Sequence, residues 1–322
     1  MSYDLDLVDR KILSELDTNA RMNYSEIGKK IRVAKETVKY RIGQLQNKKI
    51  ISGFYTVLNF SKLGFTLYRT YIRLQNTSPK IENEIGEYLI NSKNIAIFYR
   101  TNGPFQIALA IWAKTPWEHE QFWLNFKNKF GEYLADYHLS VMVEYLEFTR
   151  SYLLPSKSNE KKIFTTIIKT EPETLDKLDF ALLTFLSDNA RASLVEIAKE
   201  LRISVVTARY RLKNLINKKV IVGFRPVFNL SALGREYYKV DLWFRKFDNA
   251  NEVMQKILSH PNVIYTEKSL ITSDFEFDVE VENFEKFTEM MESFKAKFPE
   301  DIRTYRYYSL VKNLKTNYAP EL

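Results

Sequence analysis

Cysteine is absent from the 322 residues. That excludes disulfides, a thiolate zinc site and a cysteine nucleophile. No stretch approaches the run of about 20 apolar residues that a membrane span needs. The opening, MSYDLDLVDRK, is acidic and lacks the basic-then-apolar layout of a signal peptide. Histidine is scarce: His119, His138 and His260 are all there is, at unrelated positions. General acid–base chemistry has little to draw on. These absences predict a cytoplasmic protein without membrane contact, with no metal, no cofactor and no catalytic residue.

What is present is a repeat. Residues 175–234 lie on residues 5–64 without a gap, at an offset of 170. Shared positions include Asp9/Asp179, Asn19-Ala20-Arg21/Asn189-Ala190-Arg191, Tyr40-Arg41/Tyr210-Arg211, Lys48-Lys49/Lys218-Lys219 and Gly53-Phe54/Gly223-Phe224. Ile12/Leu182, Ile42/Leu212 and Ile50/Val220 keep apolar character where identity is lost. The length suggests two to four domains.

In each copy, apolar residues at helical spacing predict three short helices. Val8, Ile12, Leu13 and Leu16 mark the first, over 5–16. Asn23 with Glu26, and Ser193 with Glu196, have capping-box spacing and start the second. The third buries Val38, Ile42 and Leu45, or Ala208, Leu212 and Leu215. The β-branched and aromatic run at 50–57 reads as a strand pair. Three helices and a β-ribbon make a winged helix-turn-helix.

Behind each copy the period changes to strand, helix, two strands, helix, strand, over 67–150 and again over 235–313. That order is a ferredoxin-like sandwich. Residues 107–112 (IALAIW) are apolar on both faces, so a second sheet should cover the side the helices leave open. We therefore expect the first sheet, with Trp112, to supply the main apolar association surface. In the second copy Glu276, Asp278 and Glu280 alternate with Phe275, Phe277, Val279 and Val281, giving a face that is wet or lies opposite a basic surface. The fold class is α+β. Winged helix-turn-helix domains at 1–64 and 173–234 alternate with βαββαβ domains at 65–152 and 235–322, and a polar linker lies at 153–172.

A helix that reads DNA carries polar side chains into the major groove and is ringed by cations that hold phosphates. The first copy offers Lys35, Glu36, Thr37, Lys39, Tyr40, Arg41 and Gln44, with Lys29, Lys30, Arg32, Lys48 and Lys49 around them. The second offers Ser204, Val205, Val206, Thr207, Arg209, Tyr210, Arg211 and Lys213, with Lys199, Arg202, Lys218 and Lys219. A net charge of +8 favours an acidic partner. Taken singly, such charge runs are usually solvated helix faces; their recurrence at the same places in both copies is what points to nucleic acid. Arg41 and Arg211 also suit ion pairs with Asp9 and Asp179, and the paired lysines suit the helix dipole. Val205 and Val206 replace Lys35 and Glu36, and thymine methyls are apolar targets, so the copies should prefer different half-sites.

Each half resembles the Lrp/AsnC (feast/famine) family of prokaryotic transcription regulators. The likeness is carried by Leu5-Asp6…Asp9 and Leu175-Asp176…Asp179, the Asn-Ala-Arg turn, Thr37, Tyr40 and Arg41 with Thr207, Tyr210 and Arg211, the Ile-x-Gly-Phe run and the βαββαβ domain behind. It implies double-stranded DNA as partner, a homodimer formed through the βαββαβ domains and a small-molecule effector near the hairpin between their second and third strands. That places Gly103, Phe105 and Gln106 in one copy and Ser273 and Glu276 in the other as effector candidates. Gly103-Pro104-Phe105-Gln106 lacks the family's aspartate, and the second copy lacks the glycine too. Two alternatives stand beside this reading. Siroheme decarboxylases resemble the same family, and a regulator could read DNA with its first copy alone.

Overall fold

The computed structural model describes residues 4–154, 161–270 and 273–320. The expected linker residues 155–160, and position 271 at the end of an expected strand, lie outside them. Three helices open the chain: α1 (Leu7–Thr18), α2 (Tyr24–Ile31) and α3 (Lys35–Asn47). α1 starts two residues later than its apolar spacing predicts, because Asp6 takes the cap and accepts the Asp9 backbone N–H. α2 has the full capping box of Asn23 and Glu26. Arg32 ends it in the left-handed region at φ 61°, and Arg202 repeats this turn at φ 53°.

β1 (Ile51–Leu58) follows, then β2 (Thr66–Leu74), α4 (Pro79–Asn91), β3 (Ile95–Asn102), β4 (Ile107–Ala113), α5 (Pro116–Phe130) and β5 (Leu134–Phe148). A short strand, β6 (Ile163–Ile167), precedes the second copy. This runs α6 (Lys177–Ser187), α7 (Leu194–Glu200), α8 (Val205–Asn217) and β7 (Ile221–Phe228). The last unit is β8 (Glu236–Phe244), α9 (Ala250–Leu258), β9 (Val263–Leu270), β10 (Phe275–Val281), α10 (Phe284–Lys297) and β11 (Ile302–Thr316). Two winged helix-turn-helix segments thus alternate with two βαββαβ units, the fold class the sequence predicts. No helix among the described residues is long and apolar enough to cross a membrane.

The strand pair expected inside each helix-turn-helix is not there. β1 is a single strand, and its partner is β7 of the other copy, antiparallel, with Tyr55 opposite Arg225. A lone strand leaves a row of backbone donors and acceptors unpaired, and the repeat supplies an identical row. The Asn-Ala-Arg turns seal the same junction. Arg21 Nη1 donates to the Ala190 carbonyl at 2.7 Å, and Arg191 Nη1 donates to the Ala20 carbonyl in return.

The two βαββαβ units also pair inside the one chain. Following hydrogen-bonded neighbours, β5, β2, β4, β3, β11, β8, β10 and β9 return to β5, so eight strands close on themselves. Two long strands make the corners. β5 lies on β2 with its first half and on β9 with its second, and β11 lies on β8 and then on β3. The association expected between chains is thus made within one. The second sheet over residues 107–112 is the chain's own. Trp112 is 3% exposed and packs on the tilted ring of Phe60, centroids 4.2 Å apart, so the chain's own residues cover it.

Nor is the acidic face wet. Glu276, Asp278 and Glu280 are each about 1% exposed or less. Lys239 lies 3.0 Å from Glu267 and pairs with Glu276, while Arg69 pairs with Glu267 and approaches Glu276 at 3.7 Å. The opposing basic surface is therefore inside the barrel. Arg69 and Lys239 are equivalent in the repeat, but most of the carboxylates they meet come from the second unit. The first unit presents Ala108 and Ala110 on the same inner face of β4.

A second buried network joins barrel and readers. Arg225, fully buried, binds Asp17 at 2.7 Å and Glu147 at 3.1 Å. Arg150 binds Asp17 at 3.0 Å and Glu280 at 2.8 Å. Burial works against the Asp17 charge, but Arg225 and Arg150 outweigh it and hold the carboxyl below its ordinary value. Removing one partner strands the other charges without water, a loss of about 3–5 kcal/mol. Arg225→Met should lower the free energy of unfolding by that amount in a urea titration. A loss under about 1 kcal/mol would show the network to be dispensable.

Asp17 also gives a pH signature. A carboxyl depressed in the folded state contributes stability above its unfolded value of 3.8, and that contribution is lost as pH falls through the lower folded value. The stability gap between the native chain and Asp17→Asn should therefore narrow below about pH 4. A gap constant from pH 6 to pH 3 would assign no such linkage to Asp17.

Candidate nucleic-acid interface

α3 and α8 each have 13 residues, and each turns one stripe inward. Val38, Ile42 and Leu45, at intervals of four and three, are buried against α1 and α2, and Ala208, Leu212 and Leu215 do the same in the second copy. The opposite stripe is thereby outward. Lys35, Glu36, Thr37, Lys39 and Tyr40 are exposed on α3, with Tyr40 at 64%. Val205, Val206, Arg209, Tyr210 and Lys213 are exposed on α8, with Val206 at 78% and Tyr210 at 70%. Gln44 and Thr207 are half-buried at the edge of these faces. Ser204 caps α8, accepting the Thr207 N–H at 3.0 Å, whereas Ala34 gives α3 no side-chain cap. Unpaired N–H groups at a helix start suit an anion.

Arg41 and Arg211 are not on that outward face. Arg41 reaches Asp6 at 2.7 Å and Asp9 at 3.3 Å; Arg211 reaches Asp176 at 2.7 Å and Asp179 at 2.9 Å. Each arginine clamps the third helix to the start of the first. The Asp6 and Asp9 partners hold the Arg41 charge above its ordinary range, while burial pushes Asp9 up. Lys218 is likewise turned back, 3.5 Å from Glu173 and 3.3 Å from the Thr174 carbonyl. Lys48, Lys49 and Lys219 sit at the exposed or terminal edge of their helices, with Lys49 and Lys219 in the left-handed region.

The hairpin candidates separate. Gly103 has φ 138°, and a Cβ there would lie 3.1 Å from the Tyr307 carbonyl, so the close approach of β11 requires glycine. With Asn102, Pro104, Tyr305 and Arg306 it lines an open cavity of about 530 Å³. Phe105 faces inward instead, 3% exposed between Tyr71, His138 and Tyr308. The Gln106 side chain ties the hairpin to the end of β2 by accepting the Leu74 N–H at 3.0 Å. Ser273 is half-buried. Glu276 lies inside the barrel against Lys239, not at the hairpin surface. The histidines stand apart: His119 stacks on Tyr68 at 4.4 Å, His138 lies tilted against Phe105 at 4.8 Å, and His260 edge-on to Phe294 at 5.7 Å.

What sequence reasoning missed is the inter-copy role of Arg21 and Arg191. Their identity in both copies was the available signal, but nothing local distinguishes a turn arginine from one that spans a junction.

Comparison with known proteins adds the following. The AsnC-type helix-turn-helix domain matches residues 5–46, and a winged helix-turn-helix DNA-binding domain matches residues 175–222. An uncharacterized HTH-type transcriptional regulator of Pyrococcus furiosus is 36% identical over 104 residues, 32% of this chain and 69% of that protein. The HTH-type transcriptional regulator Ptr1 of Methanocaldococcus jannaschii is 33% identical over 33% of this chain and 72% of its own length. LrpA of Pyrococcus horikoshii is 32% identical over 34% and 77%. Among solved structures, the siroheme decarboxylase NirDL shares the fold over 96% of this chain and 93% of that one, with a TM-score of 0.63 at 13% identity.

The clamp and the outward face are separable by substitution. Arg41→Ala leaves the buried Asp9 without its cation, at an expected cost of about 1–3 kcal/mol. Tyr40→Ala, on the exposed face, should cost no more than about 0.5 kcal/mol. Thermal melts of the two variants read the difference, and equal melting temperatures would refute the assignment.

Proposed function

This chain belongs to the Lrp/AsnC family of transcription regulators, and we propose that it reads double-stranded DNA as a single-chain pseudo-dimer. It is a DNA-binding regulator whose two readers, α3 and α8, are unlike. The observation that carries the reading is the pair of outward stripes on α3 and α8. They are equivalent in the repeat, polar or basic except at Val205 and Val206, and turned away from the chain's own core. In this reading Lys35, Glu36, Thr37, Lys39, Tyr40 and Gln44 face the DNA from α3, and Val205, Val206, Thr207, Arg209, Tyr210 and Lys213 from α8, with the cations Lys35, Lys39, Arg209 and Lys213 meeting phosphates at the groove edge. Ser204 sets the start of α8, while Lys48, Lys49 and Lys219 lie toward phosphates; Lys218 joins them only on leaving Glu173 and the Thr174 carbonyl. Arg41 and Arg211 act by positioning their helices.

The β1–β7 ribbon and the reciprocal Arg21 and Arg191 contacts hold the readers as one body. Such a pair suits two half-sites one helical turn or a multiple apart. The Val205-Val206 pair favours thymine methyls where Lys35-Glu36 favours polar edges. A small-molecule effector fits the cavity beside Gly103, and a cytoplasmic location goes with the role. The dimer of the family is replaced here by pairing within the chain, so assembly of whole chains has the outer helices α4, α5, α9 and α10 to use. A second reading, a siroheme-decarboxylase-like enzyme, has the whole-length likeness of fold in its favour. A saturable shift of the visible absorption band of siroheme on titration with the protein would support it.

Salt dependence tests the main reading. Lys35→Ala/Lys39→Ala and Arg209→Ala/Lys213→Ala should each reduce the slope of log affinity against log salt by about two. A flat response in the second pair alone would leave a single reader, and a flat response in both would remove the proposal. Exchanging Val205-Val206 for Lys-Glu should change the sequence recovered at one half-site in a binding-site selection. An unchanged site would show that these valines do not read bases.

A further inference from the structure

The two readers differ in how they meet the β1–β7 ribbon. Beside the first, β6 fills the junction. Phe164 is 1% exposed and lies so close over Gly223 that a Cβ on that glycine would meet its ring at 2.3 Å. Lys162, two residues before it, donates to the Thr18 carbonyl at 2.9 Å, and its ammonium lies 4.8 Å from the Phe164 ring. An ammonium and an aromatic ring, two residues apart on an extended segment, thus plug the space between α1 and the ribbon.

Beside the second reader the same place is open. The repeat equivalents of Gly223, Thr18 and Lys30 are Gly53, Asp188 and Glu200, and all three line a cleft of about 790 Å³. A Cβ on Gly53 would meet only Val227 Cγ2, at 3.9 Å. Asp188 and Glu200 are exposed where Thr18 is half-buried. Phe54 and Phe185 give the cleft apolar wall, while Lys199 and Arg202 also line it. Where the plugged side has a hydroxyl and an ammonium, the open side has two carboxylates; with Glu196 they face Arg191, Lys199 and Arg202 in the lining, so the exchange shifts the local balance toward holding a cation.

We propose that the cleft between β1 and the second reader binds an extended segment of a partner protein carrying a lysine or arginine two residues before an aromatic residue. The occupant's chemistry is that of residues 162–164, and the acids at 188 and 200 improve on the plugged side for a cation. A second copy of this chain is a poorer occupant, because its own 162–164 segment is already buried in its own junction. The inference does not depend on DNA being the ligand of α3 and α8, since none of these residues is on their outward faces. Its consequence for them is mechanical: an occupant would fix the second reader to the ribbon as β6 fixes the first.

The test uses the full chain and the fluorescein-labelled peptide Lys-Ile-Phe-Thr-Thr, read by anisotropy. Saturable binding is expected below about 1 mM. Gly53→Phe, which fills the cleft, and Asp188→Lys/Glu200→Lys, which reverses its charge at exposed positions, should each weaken binding by about tenfold or more. A peptide with alanine for phenylalanine should not bind. Circular dichroism confirms that the variants fold, and the charge-reversed variant serves should Gly53→Phe not. No saturation at about 1 mM, or binding unchanged in both variants, overturns the proposal. So does wild-type self-association that Gly53→Phe abolishes, because it would put a second copy in the cleft.

Discussion

Arg225 and the carboxylates around it tie the four parts of this molecule together. Asp17 comes from the end of α1, Arg225 from the ribbon strand β7, Glu147 and Arg150 from the end of β5, and Glu280 from β10. Tyr55 on β1 adds its hydroxyl to Glu147 at 2.9 Å. Charges so buried are tolerated only when every one is met by another at good geometry. Each part therefore has a correct position set by the rest, and the readers are held at a fixed place relative to the barrel. Apolar packing alone would tolerate sliding; a set of charges with defined partners does not.

The same logic governs the barrel. Its two sheets descend from one repeat, yet their inner faces are unlike. The first presents alanines on β4 with Arg69 on β2, and the second presents Glu276, Asp278 and Glu280 with Lys239. Two second units brought face to face would crowd six of these carboxylates around two lysines, and two first units would leave Arg69 without carboxylates from β9 and β10. Only the unlike pair balances. The duplication has thus become a partnership of unlike units, made here inside one chain, with like-charge cost working against the pairing of two second units.

The ribbon shows where the symmetry stops. Tyr55 and Arg225 are equivalent in the repeat and directly opposite in the sheet, but one is a phenol and the other a guanidinium, and both bind Glu147. Asp17 in the first reader is Ser187 in the second, so the first copy joins the ion network from its helix and the second only through Arg225 of β7. The second reader rests on backbone contacts, Arg191 and the Thr56–Leu186 hydrogen bond. That difference leaves one junction plugged by Lys162 and Phe164 and the other open.

The sequence by itself determined the repeat, the helices, their caps, the outward stripes and the order of the βαββαβ units. Those features are local: a period of 3.6, a capping residue three positions before its partner and a polar face opposite an apolar one need no distant neighbour. It also left Arg41 open between phosphate and Asp9, since a helix position near the boundary of a stripe suits both. The tertiary structure alone decided that β1 pairs with β7, that Trp112 is covered by Phe60, and that the acids of β10 face Lys239 and Arg69 instead of water. Each of those rests on contacts more than 35 residues apart in sequence, and alternation along one strand tells which residues share a face without telling what that face meets.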